Sequence, residues 1–198
     1  MARVAILIPA AGLSSRMRGR DKLLEQVDER PLLRRQAEIA LATGSDVLVT
    51  LRPDADARRE VLGGCAVRIV DVPDADEGMS ASIRRGVAAM GVEVDGAMIL
   101  PADMPELTTE DLQDVLRAFT AAGADRITRG ASNDGKPGHP VIFPKRLFPG
   151  LQEVSGDEGA RALVKSEGAE TVPLPDCHAL TDLDTPEAWG AWRGKQSE

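Results

Sequence analysis

The chain has 198 residues, 42% hydrophobic and 28% charged, which excludes intrinsic disorder and makes one domain spanning 1–198 the expectation. Its 32 acidic and 24 basic side chains leave a formal charge of -8, without the basic excess that displaces counterions from nucleic acid. Any phosphate must therefore be held by a few placed groups.

From Arg3 to Ile8 the chain is apolar and β-branched and then breaks at Pro9 and Gly12, as a buried strand does on entering a functional loop. Pro31 to Thr43 reads as a helix with proline at its first position and Gly44 just past its end. DVLVTL (Asp46 to Leu51) and AVRIVDV (Ala66 to Val72) are strand candidates, with a short helix over Ala55 to Leu62 between them. Ser80 to Met90 reads as a helix with Ser80 as cap. GAMIL (Gly96 to Leu100) is a second wholly apolar strand, followed by the loop Pro101 to Pro105. Thr108 or Thr109 then caps a helix ending near Gly123. Asp125 to Thr128 and Pro140 to Phe143 are expected as strands, Gly156 to Glu167 as helix, Glu170 to Leu174 as strand and Pro186 to Trp192 as a closing helix. Strands alternating with helices predict a mostly parallel sheet covered on both faces, with ligands at the carboxyl ends of the strands.

Several segments carry candidate chemistry. Ala10, Ala11 and Gly12 let backbone N–H groups approach an anion, Ser14 and Ser15 add hydroxyls, and Arg16 and Lys22 add cations. Such a loop is either a phosphate cradle or an ordinary strand-to-helix turn; it is neither GxxxxGK[ST] nor GxGxxG. Asp103 leaves the GAMIL strand through Pro101 and Ala102, where a magnesium ion would need a hard oxygen ligand, although a carboxylate between prolines also suits a plain turn. Asp184 or Asp182 could supply a second carboxylate, or Asp-Thr-Pro-Glu could simply start a helix. Gly78, Met79, Ser80 and Ser82 lead into a helix N-terminus suited to a base or phosphate, with capping as the plainer account of Ser80. Gly138, His139 and Pro140 form a loop of defined shape around one of two histidines, and a lone loop histidine is more often structural. Cys65 and Cys177 lack a CxxC partner, and no apolar run approaches the ~20 residues of a membrane span, which together point to a reduced, cytoplasmic protein.

In order, AAGLSSRM, DKLL, EGMSASIRRGV, LPADMPELT, GKPGHPVIF, GDEGARALV and DLDTPEAW resemble the MobA-like nucleotidyltransferases, most closely their molybdenum cofactor cytidylyltransferase branch. The resemblance implies a three-layer α/β/α Rossmann-like nucleotidyltransferase fold with a mostly parallel, mixed central sheet. It also implies transfer of CMP from CTP to the terminal phosphate of molybdopterin, with release of pyrophosphate. By resemblance, Ala10 to Arg16 and Lys22 hold the triphosphate, Gly78 to Ser82 with Pro101 and Ala102 face the nucleotide, and Asp103 with Asp184 holds Mg²⁺. Gly138, His139 and Pro140 then line the pterin side, and a molybdoenzyme makes transient contact as recipient of the product. Arg16, Lys22 and Asp103 are the expected catalytic groups, acting by positioning and charge rather than as nucleophiles.

Ala-Ala-Gly and Pro-Gly-His-Pro look like the cytidylyl branch, whereas guanylyltransferases usually carry Ala-Gly-Gly. The family's lysine usually stands four residues after Met, and here Lys22 stands one later, so either the extra residue bulges without displacing it or a neighbouring arginine takes part of its role. Alternatives are a guanylyltransferase, a transferase acting on sugar or isoprenoid phosphates, a molybdenum cofactor carrier without turnover, and a nicotinamide-dependent reductase.

Overall fold

The computed structural model describes residues 2–156 and 160–196. Its elements in order are β1 (Val4–Pro9), β2 (Gln26–Val27), β3 (Arg30–Pro31), α1 (Leu32–Leu41), β4 (Asp46–Leu51), α2 (Asp56–Val61), β5 (Arg68–Asp71), α3 (Met79–Ala88) and β6 (Gly96–Ile99). There follow α4 (Thr109–Ala121), β7 (Thr128–Ala131), β8 (Pro137–Pro144), α5 (Phe148–Glu153), α6 (Arg161–Glu167), β9 (Glu170–Pro173) and α7 (Pro186–Gln196).

Seven strands form one sheet in the order β5-β4-β1-β6-β8-β7-β9, and β2 pairs with β3 as a separate two-residue ribbon. Strands β5, β4, β1 and β6 run parallel, β8 runs antiparallel to both β6 and β7, and β9 is parallel to β7. The expected mixed sheet is observed, with its parallel half carrying the two apolar strands read from sequence.

Alternation along each strand divides the core in two. Ile6 and Ile8 of β1 face Leu33, Ala37 and Val115 of α1 and α4. Ala5 and Leu7 face Ile83 and Val87 of α3, with Leu151 of α5 in the same layer. Gly86 lets α3 press onto β1, since a Cβ there would sit 2.4 Å from Leu7 Cδ1. A third cluster joins Met17, Val27 and Leu32 to Leu183 and Trp189, docking α7 beneath the first loop.

Most expected elements lie within two or three residues of their observed bounds. The strand expected over Asp125 to Thr128 instead begins at Thr128, because Gly123 and Ala124 take left-handed backbone and the chain has not yet reached the sheet. The helix expected from Gly156 is described from Arg161, and 157–159 lie outside the described residues. α5, unannounced in sequence, follows Pro144 and buries Leu151. Of the two threonines expected to cap α4, Thr108 does so, in a reciprocal box with Asp111. Ser80 does not cap α3: Gly78 occupies that position, at φ 89° and ψ -163°, and the fully buried Ser80 hydroxyl donates to Glu77 O (3.2 Å). That backbone region is essentially glycine-only.

Candidate active site

The loop after β1 is anchored at its root, where the Ala10 N–H donates to Thr50 O at 3.0 Å. Among the described residues the N–H groups of Ala11, Gly12 and Leu13 have no acceptor, so successive backbone donors are free at the carboxyl end of β1. Ser14 takes left-handed backbone (φ 52°) and its carbonyl receives the Met17 N–H at 2.8 Å. Arg18 and Gly19 then follow at φ 53° and 87°. These two left-handed residues turn the chain within the extra length between Met17 and Lys22, and Lys22 still reaches the site.

What fixes the loop is Arg58, a residue to which sequence reading assigned no role. Arg58 is 5% exposed, and its guanidinium grips both carboxylate oxygens of Asp21, at 2.6 and 2.8 Å. The same group donates to Ala10 O (2.6 Å) and Ser14 Oγ (3.2 Å). Asp21 in turn receives the Leu23 N–H (3.0 Å) and the Ser14 hydroxyl (3.1 Å). Burial would raise the Asp21 carboxyl, but the bonds and charge of Arg58 outweigh it and hold the carboxyl below its ordinary value. Arg58 sits beside Arg59 on a short polar helix, so nothing local distinguishes it from a solvated residue; tertiary contact decides.

This clamp sets the position of Lys22, whose ammonium bonds Asp103 Oδ2 at 2.6 Å and Asp184 Oδ1 at 2.5 Å. Arg16 pairs with the other oxygen of Asp184 at 2.8 Å. Burial pulls the Lys22 pKa down, yet Asp103 and Asp184 together raise it above the ordinary lysine value, so the group stays charged. The loop bearing Asp103 is held from α1, with Gln36 Nε2 on Met104 O (2.5 Å) and Arg35 on Leu107 O (3.1 Å). Leu183 N–H on Asp103 O, at 3.1 Å, brings the two carboxylate-bearing segments together. Asp182 is exposed and outside this cluster, so the second carboxylate at Lys22 is Asp184.

Lys22 and Asp103 border a cleft of about 200 Å³ between the first loop and the start of α3, which Arg16 and Asp184 reach only through Lys22. Ala10, Ala11, Gly12, Lys22, Gly78, Met79, Ser82, Pro101, Ala102 and Asp103 all line it. Met79, which lines it, is 57% exposed, and Leu13, next to Gly12 in the first loop, is 67% exposed. Ser14 belongs to the Arg58 clamp, Ser15 is exposed, and Ser80 points into the protein. Gly138, His139 and Pro140 lie one strand over, on β8, and do not line the cleft. The Gly138 backbone touches that of Ala179 so closely that a Cβ would lie 2.0 Å from Ala179 O.

A Rossmann-like α/β/α sheet with a small-residue loop after β1 facing a carboxylate after β6 defines the class: this is a nucleotidyltransferase fold. Residues 6–172 match the MobA-like NTP transferase domain, and the chain belongs to that family. The purine catabolism protein PucB of Bacillus subtilis (strain 168) is 34% identical over 128 residues, 63% of this chain; the match spans 60% of PucB's own length. The molybdenum cofactor guanylyltransferase of Vibrio campbellii is 26% identical over 186 residues, 91% of this chain and 90% of that protein. Among solved structures, Rv0371c from Mycobacterium tuberculosis H37Rv superposes with a TM-score of 0.81 at 24% identity, covering 100% and 99% of the two chains. Its complex with manganese gives 0.78 at 24% identity, over 96% and 97%. These structural likenesses speak for the fold.

Proposed function

We propose that the protein transfers CMP from CTP to the terminal phosphate of molybdopterin, releasing pyrophosphate. The observation that carries this reading is the convergence of Lys22, Arg16, Asp103 and Asp184 at a cleft whose first loop offers unspent backbone N–H groups. The loop's donors and Arg16 hold the triphosphate, and Lys22 stabilises charge as the α-phosphorus is attacked. An oxygen of the acceptor phosphate forms the new bond to that phosphorus. The bond to the bridging oxygen breaks, and pyrophosphate leaves with its electron pair.

Mg²⁺ fits the donor set. Asp103 and Asp184 place hard oxygens on one point now taken by the Lys22 ammonium, and this ion commonly uses one or two carboxylates plus phosphate oxygens. When bound it would neutralise phosphate charge. Lys22 would then be released from the carboxylates toward the nucleotide. The manganese complex of Rv0371c supports a divalent ion in this fold.

The cytidine reading rests on the Ala10-Ala11-Gly12 loop and the Pro137 to Pro140 segment. A guanine reading is favoured by relatives such as the Vibrio campbellii guanylyltransferase. Purified protein with Mg²⁺, molybdopterin and each nucleoside triphosphate in turn is expected to release pyrophosphate fastest with CTP. Fastest release with GTP reassigns the base, and no release with any nucleotide removes the function. Asp103→Asn is expected to abolish turnover; retained function in cells would instead favour a carrier.

A further inference from the structure

Strands β7 and β8 and the start of α6 bring together two arginines and a histidine, none of which lines the cleft. Arg129 stands opposite Val141 in register, and Val141 belongs to the core layer containing Phe143, Ala160 and Leu163. His139 follows Gly138, whose carbonyl Arg129 holds, and lies in the field of Arg129, Arg161 and Asp103. Val141 pairs with Ile99, the last residue of β6 before the loop that carries Asp103. α6 packs in the core layer of Val141 and begins at Arg161.

Arg129 is half-buried, and its Nε and Nη2 both donate to one carbonyl, Gly138 O, at 3.0 and 2.8 Å. Neither Arg129 nor Arg161 has a carboxylate within ion-pair distance among the described residues, in a chain where most arginines have one. His139 Nδ1 is buried and has no hydrogen-bond partner. An arginine taken partly out of water without a counter-charge is costly, and an anion offsets that cost. Burial first and the Arg161 charge second lower the Arg129 pKa, which places the two guanidiniums in each other's field.

We propose that Arg129, Arg161 and His139 form the subsite for the acceptor's phosphate monoester, with the guanidiniums on its non-attacking oxygens and the imidazole donating to it. The assignment rests on the nucleotidyl-transfer reading for its ligand, but its geometry is independent of the nucleotide cleft. It makes the enzyme select acceptors by their phosphate and aims that phosphate past His139 toward the Asp103 loop.

The test uses the full chain saturated with Mg²⁺ and a CTP analogue with a methylene α,β-bridge, titrated with inorganic phosphate by calorimetry. Arg129→Gln and Arg161→Gln are each expected to weaken phosphate at least about tenfold, with Arg129→Lys recovering part of the loss. Affinity for the analogue should stay within about twofold. Arg161, on an exposed helix turn, keeps the test decisive if the Arg129 variant fails to fold. No phosphate binding by the wild type, or unchanged affinity in the variants, overturns the subsite. Residue-dependent phosphate binding without pyrophosphate release from molybdopterin supports the subsite and sinks the acceptor assignment. Normal turnover with an unchanged acceptor KM in both variants sinks the subsite and leaves the function intact.

Discussion

Lys22 holds two carboxylates at hydrogen-bond distance while remaining charged, so its removal deletes a cation and leaves Asp103 beside Asp184 with only Arg16 still paired to Asp184. Lys22→Ala is expected to lower kcat/KM for pyrophosphate release by about 10²–10³-fold, the scale of losing one preorganised charge donor. Asp182→Ala, exposed and outside the cluster, should change it less than about twofold in the same steady-state assay. His139 makes a different prediction. Burial first, then the charge of Arg129, with Arg161 adding to it, lowers its pKa from 6.5 to about 4 against the opposing pull of Asp103. Between those values the unfolded chain binds the extra proton and the folded chain does not, so this contribution is complete above pH 6.5 and is lost as pH falls toward 4. The loss amounts to about 3 kcal/mol at most, and His139→Gln should flatten the slope of urea-unfolding stability across that window.

At the scale of elements, α2 acts through one side chain. Arg58 ties α2 to the root of the first loop at Ala10, to its middle at Ser14 and to Asp21 beside Lys22. Breaking such a buried pair from one side costs about 3 kcal/mol. Arg58→Met and Asp21→Asn should each lower unfolding free energy by that order and raise the KM for nucleotide. The double variant should cost much less than the sum, because the two residues share one interaction. Additive losses in denaturant titrations would show that the clamp is not a unit. The Asp21 contribution has the same pH sense as that of His139 from a different cause: its carboxyl is depressed by pairing, so its stabilisation is present above the ordinary aspartate range and lost as pH falls through the lowered value.

Across the whole molecule, the first loop is supported from below by α7. Trp189 is buried against Met17, Val27, Leu32 and Leu183, with Trp192 edge-on to it at 5.9 Å between ring centroids. Glu106, three residues past Asp103, receives both the Thr181 hydroxyl (2.5 Å) and the Trp192 indole N–H (3.1 Å). The segment bearing Asp184 is thereby fastened to the loop bearing Asp103. Trp189→Ala is expected to destabilise the fold by about 3–5 kcal/mol and to impair nucleotide binding, although the residue lines no part of the cleft. Both tryptophans of the chain lie on α7, so intrinsic fluorescence should change when nucleotide orders the loop. An unchanged emission spectrum at saturating nucleotide would argue against this coupling.

The apolar runs of β1 and β6, each breaking into a loop, were legible because a buried parallel strand needs a continuous hydrophobic segment and its end needs residues that release it. The Thr108 cap and most helix limits were legible for the same local reason, and the order of the seven motifs carried the family. Ser80 misled because a buried serine and a capping serine look alike until the backbone of Gly78 is known. Arg58, Arg129 and the choice of Asp184 over Asp182 required the tertiary structure. Each depends on which distant groups share a volume: Arg58 meets Asp21 across 37 residues and Lys22 meets Asp184 across 162. Charge pairing and burial act through space, so a guanidinium on a polar helix has no local mark of being buried until the sheet brings the first loop beside it.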